Sequence, residues 1–198
     1  MRAIGAKRRR WSARISRARS RALFVLGISI FGGCAVPTHQ PGRVGLKLSP
    51  ATLGESISLQ QHLTVDWNGS SDELDIALEV DRQRLDLVGL VLGQRVLTLS
   101  YDGQILNSWR HPLFPAAVRS EDILEDLQLV LWPADAVREA LPGGWRIEES
   151  SRRRTLLIGE MPVTVISYTG EPRWSGDIEL VNLRYHYRLI IQSASNGS

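Results

Sequence analysis

The sequence predicts a mainly β protein built as one large antiparallel sheet curled around a helical insert. Three observations carry that reading. Apolar residues recur with period two from Ile57 to Trp109, with helical spacing between Ser120 and Leu141, and with period two again from Trp145 to Gln192. Each strand then has one apolar face to bury, and the insert offers an apolar stripe to meet those faces. About five strands, a helical hairpin and about five more strands therefore satisfy one another as a single sheet of nine or ten strands.

In the first strand Ile57, Leu59, Leu63, Val65 and Trp67 oppose Ser56, Ser58, Gln60, His62, Thr64 and Asp66. Leu74, Ile76, Leu78 and Val80 alternate with Asp75, Ala77 and Glu79, then Leu85, Leu87 and Val91 follow, then Leu97, Leu99 and Tyr101. Asp102-Gly103 predicts a two-residue type I′ turn into a fifth strand, Ile105–Trp109. After Pro112 and Pro115 the period changes. Ser120 is placed to N-cap a helix with acidic residues Glu121 and Asp122 in its first turn, and Ile123, Leu127, Val130 and Leu131 recur on it until Trp132-Pro133. A second short helix starts at Pro133 and ends at Pro142-Gly143-Gly144. Strands resume over residues 145–149, 155–158, 163–168, 178–183 and 185–192, with Gly159-Glu160 as a tight turn.

The N-terminal segment has a different logic. Nine Lys/Arg precede residue 22, no acidic residue occurs before Glu55, and the apolar run 22–31 would span only about 15 Å as a helix, about half a hydrocarbon core. Phe31-Gly-Gly-Cys34 follows it and resembles a bacterial lipobox, with Cys34, the sole cysteine, as the lipidated residue. The expected organisation is a cleaved signal at 1–33, the lipidated cysteine and a Pro/Gly-rich tether at 34–50, a single β domain at 51–192, and a disordered tail at 193–198. Several acyl chains on Cys34 would hold the protein on a membrane. Ala35 in place of an inner-membrane-retaining Asp implies the periplasmic face of the outer membrane by resemblance to the enteric sorting rule. Without residues 1–33 the chain has fifteen basic and twenty-one acidic residues, a net charge of −6 that argues against nucleic-acid binding.

An enzyme needs a nucleophile, an acid/base pair or a metal cluster, and the sequence assembles none. His39 falls in the tether, His62 and His186 on polar strand positions, and His111 before a proline. There is no zinc-ligand spacing, no G-x-S-x-G elbow, no Gly-rich phosphate loop and no H-E-x-x-H. The expectation is a non-enzymatic protein without cofactor or metal.

Four segments carry a family resemblance: Glu79-Val-Asp with Leu85 and Leu87-Val-Gly-Leu; Gly93-Gln-Arg through Tyr101-Asp-Gly103; Asp126-Leu-Gln-Leu-Val-Leu-Trp-Pro133; and Leu183-Arg-Tyr185-His-Tyr-Arg-Leu189. Over most of residues 50–192 the chain resembles an uncharacterised family of small Gram-negative lipoproteins, a domain of unknown function associated with aryl-polyene and fatty-acid-synthase-like gene clusters. That family is similar in fold to the LolA/LolB lipoprotein carriers, whose incomplete antiparallel barrel is closed by helices over an acyl-binding cavity. The carriers open with an amphipathic helix, where residues 56–67 here read as a strand. The resemblance implies an apolar cavity lined by Leu78, Leu87 and Leu99 under a lid carrying Ile123, Leu127, Leu131 and Trp132. Its ligand would be a lipidic or polyene-acyl molecule. Arg152, Arg153 and Arg154 read either as a solvated hairpin turn or as a patch that docks a lipid headgroup. The alternative function is a structural or assembly subunit that grips a partner envelope protein with the same fold.

Overall fold

The structure, a computed structural model, describes residues 43–193. The expected signal, Cys34 and the tail from residue 194 lie outside the described residues.

Ten strands form one antiparallel sheet: β1 (Ile57–Trp67), β2 (Ser70–Val80), β3 (Leu85–Val91), β4 (Gln94–Tyr101), β5 (Leu106–Arg110), β6 (Trp145–Ser150), β7 (Arg153–Ile158), β8 (Met161–Tyr168), β9 (Ile178–Asn182) and β10 (Tyr187–Ser193). Helices α1 (Ser120–Leu131) and α2 (Ala134–Ala140) fall between β5 and β6. The order β5-β4-β3-β2-β1-β10-β9-β8-β7-β6 is two five-strand meanders joined where β1 pairs with β10, Gln61 opposite Ser193 through Trp67 opposite Tyr187. β5 and β6 end the sheet without pairing to each other, so the barrel is incomplete, as the alternation and the resemblance predict.

The register turns period two into an inner face. Leu59, Leu78, Leu87 and Leu99 stand side by side across β1 to β4, and Val80, Leu85 and Tyr101 form the next row. In the other meander Ile166 faces Leu180 across β8 and β9. All of these except the partly buried Leu59 are buried and share one core with Leu124, Leu129, Leu131, Trp132 and Val137 of the helical insert.

Two local expectations change. Asp102-Gly103 is not a type I′ turn: the link runs from Asp102 to Ile105, only Gly103 has a positive φ (97°), and the Asp102 carboxylate accepts the N–H groups of Gln104 and Ile105 at 2.8 and 2.7 Å. The two-residue turns with both φ positive are Asn68-Gly69 and Leu92-Gly93. Ser120 is the first helical residue rather than the N-cap, which is Arg119, and its hydroxyl donates to Ser108 Oγ on β5 at 2.8 Å.

The largest correction concerns residues 43–50. Few large apolar residues and several Pro and Gly read as a tether, yet Leu46, Leu48 and Pro50 are buried and a 3₁₀ turn over Pro50–Leu53 buries Leu53 as well. The segment is a strap laid over α1, with alternate residues turned inward. Leu46→Ala and Leu48→Ala are each expected to lower stability by about 2–5 kcal/mol, the usual loss for a buried leucine. Urea unfolding followed by circular dichroism checks this, and a true tether would tolerate both changes.

Candidate functional site

The candidate site is the inner face of the sheet together with what covers it. Leu78, Leu87 and Leu99 come together as forecast, in one cross-strand row, but they are 0–1% exposed and packed against the protein's own side chains. Leu131 and Trp132 are buried above the sheet, while Ile123 and Leu127 are only partly buried at its margin. The Trp132 indole N–H donates to Thr52 Oγ1 at 3.0 Å. Trp132 is therefore a wedge between insert and strap, not a door over an open space.

Polar groups fasten this cover. Gln128, fully buried, reads the strap backbone twice: its Oε1 accepts the Leu48 N–H at 3.0 Å and its Nε2 donates to the Leu48 carbonyl at 2.9 Å. Glu125 Oε2 accepts the Gly45 N–H at 2.6 Å. Arg43 bridges Asp122 and Asp126 at 3.1 and 3.0 Å and donates to the Tyr187 hydroxyl. That hydroxyl in turn donates to Asp126 at 2.6 Å, tying helix and strap to β10. Burial outweighs the Arg43 charge at Asp126, and its carboxyl is pushed up to about 6. Burial also raises Glu125, and burial with the adjacent Asp126 carboxylate carries the Tyr187 phenol far above its ordinary range.

The other end of α1 is held by the sheet. A helix leaves its last carbonyls without intrahelical partners. Here Arg154 Nη1 donates to the carbonyls of Leu129 and Trp132, and the Tyr168 hydroxyl donates to that of Val130 at 2.9 Å. Arg173 adds a contact to the Trp132 carbonyl, and Glu149 neutralises both cations at 2.6 and 3.1 Å. The guanidinium charge also suits the negative end of the helix dipole. Arg154 is 0% exposed, so the headgroup reading is wrong for it: β7 alternation puts it on the inner face with Leu156, while Arg152 and Arg153 face solvent.

Two open clefts mark the surface. One of about 510 Å³ lies between Trp67, Leu183, His186 and Arg188, and one of about 380 Å³ between Glu149, Tyr168, Glu171 and Arg173. Neither is lined by a residue forecast for the cavity. No His/Cys/Asp/Glu group suited to a metal occurs among the described residues, and no helix among them is long and apolar enough to cross a membrane.

A family model described as "Protein of unknown function (DUF3261)" matches residues 58–195, which span nine strands and nearly all of β1, with both helices. The chain belongs to the DUF3261 family. The strap that clamps α1 in this DUF3261 protein precedes the matched span. None of the curated proteins compared matches the chain. Among solved structures, a DUF1329 family protein from Desulfovibrio piger ATCC 29098 aligns over 70% of this chain and 83% of its own, at 11% identity and a TM-score of 0.25. Neither fold nor function is carried over from so loose a superposition.

Sequence reasoning missed one inner residue of the DUF3261 sheet as a site candidate. The Tyr101 hydroxyl is the buried side-chain polar atom without a hydrogen-bond partner among the described residues, and burial raises its pKa. Its signal was legible, since it continues the inward series Leu97, Leu99. For the arginines the expected outcome is a contrast. Arg154→Leu removes the partner of Glu149 and of the Leu129 and Trp132 carbonyls and costs about 3–5 kcal/mol, whereas Arg153→Leu changes stability by less than about 0.5 kcal/mol. Chemical denaturation of both variants checks it.

Proposed function

We propose that the protein is an envelope lipoprotein, anchored through Cys34 on the periplasmic face of the outer membrane, that takes up a lipidic or polyene-acyl chain between the inner face of its sheet and α1. One observation supports this best. A continuous apolar sheet face is covered by a layer that packs its own leucines and Trp132 against it and is fastened at its outer side and helix end by hydrogen bonds and ion pairs of Arg43, Glu125, Asp126, Gln128 and Arg154. Water can replace such bonds when the layer lifts, but it cannot satisfy the leucines beneath, so an acyl chain is the natural replacement for the cover. Each buried CH₂ would contribute about 0.8 kcal/mol. The Tyr101 hydroxyl, without a partner in the apolar interior, is placed to donate to an ester or carboxyl oxygen on the ligand.

The rival reading has its own support. The leucines at the centre of the sheet are already packed solid. A subunit that grips a partner envelope protein needs no interior space, and a fully filled core suits it. Both readings keep the protein outside the enzymes and without cofactor.

Native mass spectrometry of the full chain, extracted from envelope membranes in mild detergent, separates them. The expected spectrum shows a covalent acyl mass on Cys34 and a lipid retained without a covalent bond. Cys34→Ala loses the first and keeps the second. Tyr101→Phe folds at least as stably, because it removes an unsatisfied hydroxyl, yet retains less lipid. Wild-type protein that retains none gives the function to the partner-gripping subunit, and acylation that persists in Cys34→Ala removes the anchor.

A further inference from the structure

The exposed large apolar side chains among the described residues are gathered at one end of the strands, Ile105 alone excepted. The register fixes that end. Trp67 lies opposite both Ser70 and Tyr187, which sets the β1–β2 turn beside the β9–β10 turn carrying Leu183 and Tyr185. Asp75 pairs with Leu90 and Val91 with Gln94, which brings the β3–β4 turn and Leu92 to the same end. Leu97 pairs with Arg110, so β5 leaves the sheet there through Trp109 and the segment holding Leu113. Leu92 is 96% exposed and Leu113 86%.

Leu92 is costly twice over. It sits at φ 50° in the first position of a turn that favours Asn, Asp or Gly, and its whole side chain meets water. Neither feature helps the domain fold, so the residue is best explained by what it touches.

Charge says what that is. The four segments 67–70, 91–95, 109–119 and 183–186 hold Arg95, Arg110, Arg119 and Arg184 with His111 and His186 and not one Asp or Glu, on a domain whose overall charge is −6, while the β7–β8 turn at the same end adds one carboxylate, Glu160, paired with Arg146. At the other end the turns include Asp81, Asp102, Glu171 and Asp177. The arginines sit on the aromatic rings, Arg95 at 5.3 Å from the Trp109 centroid and Arg43 at 5.0 Å from that of Tyr185. Tryptophan and tyrosine with arginine is the chemistry of the membrane–water interface, and basic residues favour anionic headgroups. A folded protein partner would call for one contiguous apolar patch. Here the apolar groups stand on separate turn tips, Trp67 and Leu183 lining the 510 Å³ cleft and Leu92 and Leu113 on other turns, a layout suited to a fluid surface that moulds to each tip.

We infer that this end of the sheet is a membrane-docking edge, with the tips at Trp67, Leu92, Trp109, Leu113, Leu183 and Tyr185 entering the headgroup region of an anionic phospholipid surface. The inference does not depend on a ligand inside the sheet. Its test is site-specific labelling of the full chain. In the Cys34→Ala background, Leu92→Cys and, separately, Leu183→Cys and Gln83→Cys are labelled with an environment-sensitive fluorophore and mixed with vesicles of phosphatidylethanolamine and phosphatidylglycerol. Gln83 occupies the β2–β3 turn at the opposite end and serves as the reference. The expected result is a blue shift with a several-fold intensity gain at 92 and 183 and none at 83, weakened in high salt. The N-terminal apolar segment can tether all three proteins to the vesicle alike, so only contact of the rim distinguishes them. No response at 92 and 183, or an equal response at 83, overturns the inference and leaves the rim to a protein partner.

Discussion

The pairing of β1 with β10 is the constraint on which everything else depends. It joins residues near the start of the described chain to residues near its end, Leu63 opposite Ile191 and Val65 opposite Leu189, and so welds two local meanders into one sheet. Without it each meander would leave an apolar face without a partner, and α1 would have two half-sheets to choose between. With it, Arg154 and Tyr168 from one meander and Ser108 from the other close on the same helix. Such a long-range closure is slow to form, because the loop entropy must be overcome before the contacts reward it.

Once the sheet is closed, α1 has two different interfaces. Toward the sheet it buries Leu124 and Leu131 among leucines. Toward the strap it offers Glu125, Asp126 and Gln128, which meet backbone amides and a guanidinium. A buried network of this kind stabilises only while every member is satisfied, and each bond in it has an aqueous substitute. The helix is thus fixed firmly at its C-terminus by Arg154 and more exchangeably along its outer face. In the proposed uptake of a ligand, that asymmetry would have the strap leave first and the helix pivot on its C-terminal carbonyls.

Much of this was legible in the residues, and the exceptions have physical causes. Most of the strands were visible because one face lies inside and one outside, which imposes period two whatever the tertiary detail; β5, exposed along nearly its whole length, was read from the adjacent Asp102-Gly103 instead. The strap was invisible because Leu46 and Leu48 supply only two inward positions, too few for a period, amid residues that also compose a linker. Arg154 was misread from identity instead of position: it shares parity with Leu156, and parity outweighed charge because helix carbonyls and Glu149 stood ready to receive it. Leu78, Leu87 and Leu99 do share one cross-strand row on the inner face, but no pattern of alternation reports whether the space in front of such a row is open or filled.

In the proposed function, strap and α1 form a separable cover over a persistent sheet. The amides of Gly45 and Leu48 report it directly, since each donates to a side chain on α1 and not to a strand. Residue-resolved hydrogen exchange on the full chain, with and without a fatty-acid probe, is the measurement. The expected result is that these two amides exchange through an opening well below global unfolding, together with α1 and ahead of Leu87 and Leu99, and that the probe changes their protection. Exchange of Gly45, Leu48, α1 and the central strands in one global step, unmoved by the probe, would contradict it.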